Sequence, residues 1–176
     1  MRGPLLVVLM CTCWTAPACH AASASPDARC GEFVGKGMKL LASADLSPSD
    51  REAFDKRAPG AQPGCVVTDF NADGIKDAAM IGQDRKTGTV SLVIAVGKQD
   101  GGFTTVIRKS LGESIQGVFL LPHSGKVVEP SEAVDTPETA HKLTGGAIDV
   151  VFVEKATVVY FWDQAAGQID ESQTGD

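Results

Sequence analysis

The nine residues Asp69-Phe70-Asn71-Ala72-Asp73-Gly74-Ile75-Lys76-Asp77 constrain this chain most. Oxygen-bearing side chains fall at positions 1, 3, 5 and 9, and glycine stands at position 6. Such spacing lets one short loop curl around a hard cation. Asp69, Asn71 and Asp73 would each offer a side-chain oxygen, Ile75 its backbone carbonyl, and Asp77 would close the sphere. Gly74 permits the sharp turn. Without a cation, the three carboxylates would repel one another across a few ångströms. The oxygen-only donor set suits calcium; magnesium prefers more water ligands, and zinc would want His or Cys.

The flanks decide which kind of loop this is. Val66-Val67 before it and Ala78 to Ile81 after it are β-like runs. An EF-hand needs helices there and an acid at position 12, which here is Met80. From Val66 to Gly82 the chain instead resembles the calcium loop of integrin-type FG-GAP and VCBS repeats. That resemblance implies Asp69, Asn71, Asp73, Ile75 and Asp77 as calcium ligands on a strand-loop-strand hairpin. The motif occurs once, so it implies the hairpin and not a whole propeller.

The first residues read as a secretory leader, residues 1–24. Arg2 supplies the charge, Leu5 to Trp14 the apolar run, and Ala22-Ser23-Ala24 the small-residue cleavage signal. A periplasmic or secreted location follows. Cys19 offers a second reading, a bacterial lipoprotein anchored through lipid on that cysteine. Cys11 and Cys13 lie in the apolar run, which leaves Cys30 and Cys65 for the mature chain. In an oxidising compartment they form one disulfide. It would close a loop of about 34 intervening residues and contribute roughly 3–4 kcal/mol on the chain-entropy model.

Residues 25–176 are long enough for a single domain with its own core. The formal net charge is −6, one unit more negative once Arg2 leaves with the leader. No basic run is available to neutralise phosphates, which disfavours nucleic acid as a partner. No stretch after the leader is long and apolar enough for a membrane helix.

The expected fold is α+β, with N-terminal helices packed on an antiparallel β-meander that contains the calcium hairpin. Gly31 to Gly64 reads as helical: Phe33, Met38, Leu40 and Leu41 give an apolar face. Ser47-Pro48-Ser49-Asp50 then starts a second helix that ends before Pro59-Gly60. Strands are expected at Cys65–Thr68, Ala78–Ile81, Thr89–Val96, Phe103–Arg108, Gly117–Leu121, Ala147–Val153 and Thr157–Trp162, with a short one at Gln168-Ile169. Residues 122–146 read as a long irregular excursion. In the last pair, Val158, Tyr160 and Trp162 point one way and Val159 and Phe161 the other. A strand apolar on both faces lies inside a sheet, with something packed on each side.

Catalytic machinery is not evident. His123 and His141 belong to no spaced pair, and no nucleophile elbow or phosphate-cradling loop occurs. Glu129, Glu132 and Asp135 sit in a proline-rich stretch and read as solvated. The chain is therefore read as a non-enzymatic binder with a protein partner. Export, one disulfide, one FG-GAP-like loop and the C-terminal strand pair together are similar to inhibitors of lysozyme-type hydrolases. They are equally similar to immunity proteins against peptidoglycan-degrading effectors. Residues 122–146 would be the plug for a hydrolase cleft. An adhesive FG-GAP-like module and an unrecognised hydrolase are the alternatives.

Overall fold

The computed structural model describes residues 30–31, 37–131 and 140–175. Residues 1–24, Cys19 among them, lie outside the described residues. So do Phe33, Glu132 and Asp135.

The described strands are β1 (Met38–Leu40), β2 (Cys65–Thr68), β3 (Asp77–Asp84), β4 (Val90–Gly97), β5 (Phe103–Gly112) and β6 (Val118–Pro122). They continue with β7 (Val127–Val128), β8 (His141–Lys142), β9 (Ala147–Phe152), β10 (Ala156–Asp163) and β11 (Gln168–Gly175). A 3-10 turn covers Ser43–Asp45, and the helix α1 covers Pro48–Arg57.

One sheet runs β1-β3-β4-β5, and β2 also pairs with β3. β1 takes the far end of β3 (Leu40 opposite Gly82) and β2 the near end (Thr68 opposite Asp77), so the two short strands share one edge. The second sheet runs β11-β10-β9-β6, and β7 pairs with β8 alone. Every pairing is antiparallel.

The sheets bury one shared core. Ala79, Ile81, Leu92 and Ile94 come from the first sheet, and Leu120, Ile148, Val150 and Tyr160 from the second. Each outer face has its own smaller cluster. Cys30, Cys65, Ala78, Met80 and Val93 pack on the outside of the first sheet. Val128, Ala147, Val159 and Phe161 pack on the outside of the second. The two-faced reading of β10 is met: Tyr160 turns to the shared core, Val159 and Phe161 to the outer cluster, and β10 lies inside its sheet.

The expected α+β layering is corrected. The described residues are mostly antiparallel sheet, 48% strand and 11% helix, and among them no layer of N-terminal helices lies on a meander. Met38–Leu40, expected on a helix, pairs with Asp84–Gly82 instead. Three residues, Met38-Lys39-Leu40, are too few to separate the two periods, and β3 supplied an edge for their backbone groups. The second expected helix forms as read. Ser47 caps it, its hydroxyl accepting the Asp50 N–H at 3.1 Å, with Pro48 in the first turn. Its buried apolar anchor is Phe54, which meets Phe119 edge-to-face at 5.3 Å. Asp50 also accepts the Gly117 N–H at 3.1 Å, tying the helix to the start of β6.

Two further differences follow from polar sequence. β11 extends from the expected Gln168-Ile169 to Gly175, because an edge strand needs apolar residues on one side only. The excursion 122–146 is partly laid against the second sheet. Val128 is fully buried there, and the Ser131 N–H reaches the carbonyl of Gln173 at 2.7 Å. Cys30 and Cys65 form a disulfide, which pins the N-terminal segment to the outer face of the first sheet.

Candidate metal site

The loop between β2 and β3 turns at one end of the molecule. Gly74 takes φ +85°, as its place in the motif requires, and Ala72 takes φ +60°, a left-handed conformation that costs an alanine about 1–2 kcal/mol. Phe70 anchors the loop with a fully buried ring.

Asp69 accepts from the amides of Asp73 at 3.2 Å and Gly74 at 2.9 Å. The Asn71 side-chain oxygen accepts from the same Asp73 amide at 3.2 Å, so both side chains converge on one point. Asp73 accepts from the Ile75 amide at 2.7 Å and from the Asn71 side-chain amide at 2.9 Å. Three of the expected ligands are thus gathered on the inside of the curl. Each carboxylate oxygen has more than one lone pair, so accepting an amide does not exhaust it.

Asp77 behaves differently. It is fully buried, and both its oxygens are taken by backbone amides, Phe70 at 2.7 Å and Gly97 at 2.8 Å. Burial raises its proton affinity above the usual carboxylate range. The two amides oppose that shift, and the charges of Asp73 and Asp69 add to it. Among the described residues, no three Asp, Glu, His or Cys side chains close up tightly enough to hold a metal ion. Asp69, Asn71 and Asp73 carry oxygen donors of the type a hard cation takes, and Asp77 has both its oxygens turned to backbone amides.

The rest of the molecule grips this loop from three sides. The Gly146 amide donates to the Asp69 carbonyl at 2.6 Å. The Gln164 side chain, in the β10–β11 turn, donates to the Asn71 carbonyl at 3.3 Å and to the Thr144 hydroxyl at 2.9 Å. The end of β4 reaches Asp77 through Gly97. Beside the loop lies a cavity of about 430 Å³, walled by Gly74, Ile75 and Lys76 on one side and by Gly97, Lys98 and Phe103 on the other.

The other sequence candidates are dispersed. Glu129 is exposed. His141 packs its ring on Phe161 with centroids 4.8 Å apart. His123, read as a surface residue, instead meets Asp149 at 2.6 Å, and its Nε2 is buried with no partner among the described residues. Only a register between β6 and β9 brings these two together, and sequence spacing carries no sign of it.

A second polar cluster, also absent from the sequence reading, bridges the sheets. Lys109 of β5 lies 2.5 Å from Glu171 of β11 and 5.7 Å from the centre of the Tyr160 ring. Burial pushes Glu171 up, but its bonds to Lys109 and Tyr160 outweigh that and hold its carboxyl below the usual range. Burial and Glu171 push the Tyr160 hydroxyl far above its ordinary value.

No helix among the described residues is long and apolar enough to cross a membrane. Comparison of the chain with protein-family models, with curated proteins and with solved structures finds no match.

Proposed function

We propose that this is an exported, calcium-stabilised binding protein, with the cation held by the loop between β2 and β3. The observation that carries the reading is the inward gathering of Asp69, Asn71 and Asp73 on a loop clamped by both sheets. Asp69 and Asp73 would hold the ion with the Asn71 side chain and the Ile75 carbonyl. A bound calcium supplies positive charge to a loop whose carboxylates repel one another. Held in this way, the loop stiffens the end of the sandwich where it meets Gly146, Gln164 and Gly97.

The partner class proposed is a cationic peptidoglycan hydrolase, with this chain as inhibitor or immunity protein. The net charge of −6 supports that choice, since opposite charge speeds encounter. The role of plug assigned to residues 122–146 narrows, because Val128 belongs to the outer cluster of the second sheet.

The test is a pulldown with the mature chain from periplasmic and culture extracts, in calcium and in EDTA. Recovery of a lysozyme-like hydrolase, strongest with calcium, is expected. No specific protein in either condition would sink the inhibitor reading.

A further inference from the structure

We infer that Asp77 is a strut joining the loop to the end of β4, and that the cation is held without it. The inference rests on the calcium reading for its second half only. A carboxylate serves as a ligand when one oxygen faces the ion. Here Oδ2 accepts the Phe70 amide at 2.7 Å and Oδ1 accepts the Gly97 amide at 2.8 Å, and the residue is 0% exposed. The lone pairs left on these oxygens face packed protein and no solvent. An ion could reach them only if the side chain turned, and turning it would strand a buried amide with its full desolvation penalty. Asp69 and Asp73 differ in kind. The amides they accept all lie in the loop and at its exposed surface, whereas Asp77 also holds a buried amide from β4.

The strut sits where the loop and β4 already touch. A Cβ on Gly97 would lie 2.5 Å from the Lys76 carbonyl and 2.8 Å from Ile75 Cγ2. No larger residue at 97 could let β4 approach that closely. Asp77 thereby fixes the loop against the Gly97–Phe103 turn, and those two segments are the facing walls of the 430 Å³ cavity. Ordering the loop with a cation therefore orders one wall of the cavity directly and the other through Asp77.

The experiment uses the mature chain, Asp77→Asn and Asp73→Ala. Each is titrated with calcium chloride by calorimetry, melted in EDTA, and followed by hydrogen exchange at the Phe70 and Gly97 amides. Asp77→Asn is expected to melt lower in EDTA and to exchange faster at Gly97. It still takes one equivalent of calcium, within about tenfold of the wild-type affinity. Asp73→Ala loses calcium uptake. A folded Asp77→Asn that binds no calcium, or one with unchanged EDTA melting and Gly97 protection, overturns the strut. Should Asp77→Asn fail to fold, wild-type exchange decides: Gly97 stays protected on adding calcium, and loss of that protection marks Asp77 as a ligand. Failure of the wild type to take up calcium sinks the cation reading alone. The strut is then judged by EDTA melting and exchange.

Discussion

Replacing Gly145 with alanine tests whether the turn before β9 is pressed onto the loop. A Cβ at 145 would stand 2.1 Å from the Phe70 carbonyl oxygen and 2.7 Å from that of Asp69. Ordinary carbon contacts begin near 3.5 Å, so one backbone must retreat by roughly an ångström. Neither retreats easily. The Phe70 ring is fully buried, and the Gly146 amide is bonded to Asp69 at 2.6 Å. Overpacking of this kind costs about 1–3 kcal/mol, and loss of the bond adds about 0.5–1.5 kcal/mol. Reduced freedom of the unfolded chain returns about 0.4–1 kcal/mol. The net, about 2 kcal/mol, lowers Tm by roughly 4–8 °C for a domain of this size. Gly175→Ala is the control, since a Cβ there meets nothing within 4 Å. Melts in EDTA, followed by fluorescence, keep any cation out of the comparison. In a chain begun at residue 25, Trp162 is the only tryptophan and a clean probe. A Gly145→Ala protein that melts within about 1 °C of wild type would refute the close approach and the clamp built on it.

Further predictions concern the sheets. Tyr160 is the only tyrosine, so absorbance at 295 nm titrates it alone. With its hydroxyl shifted far upward, no tyrosinate should appear near pH 10 while the protein is folded. Stability from the neutral hydroxyl is fully present below the unfolded value of about 10 and drains away as pH rises beyond it. A tyrosinate step at pH 10 with intact circular dichroism would refute this. Glu171 works in the opposite sense: its lowered value makes its contribution present above the unfolded carboxyl range and lost as pH falls through the folded one. Lys109→Ala should reduce that acid sensitivity, seen as a smaller drop in Tm between pH 6 and pH 3. Changing Cys30 and Cys65 together to serine should cost about 3–4 kcal/mol in urea unfolding. An unchanged midpoint would mean the N-terminal segment holds its place without the bond.

The β-structure was legible where it was carried by local pattern. Cys65–Thr68, the run that became β4 and the two-faced Val158–Trp162 segment announced themselves through β-branched residues, and Ala78–Ile81 as a short continuous apolar run after the acidic loop. The cap at Ser47 and the proline after it placed α1 correctly. Failure came at Met38–Leu40, where three residues carry too little period to separate helix from strand and only the free edge of β3 decides. At the candidate site the motif located the loop and its turn at Gly74, where Asp69, Asn71 and Asp73 accept the loop's own amides. It could not locate what holds Asp77, because the Gly97 amide comes from a strand 20 residues away. The His123–Asp149 and Lys109–Glu171 contacts were hidden for the same reason: each depends on strand register or sheet packing.

Calcium dependence of the fold is the most direct test of the account. The wild-type chain from residue 25 onward should take one equivalent of calcium by calorimetry. At a free concentration 100 times Kd, it should gain about 2.7 kcal/mol over EDTA, or roughly 5–10 °C in Tm. Asp73→Ala should show neither effect. An absence of binding heat, together with identical melting in calcium and EDTA, would contradict the claim that the loop from Asp69 to Asp77 is a cation site.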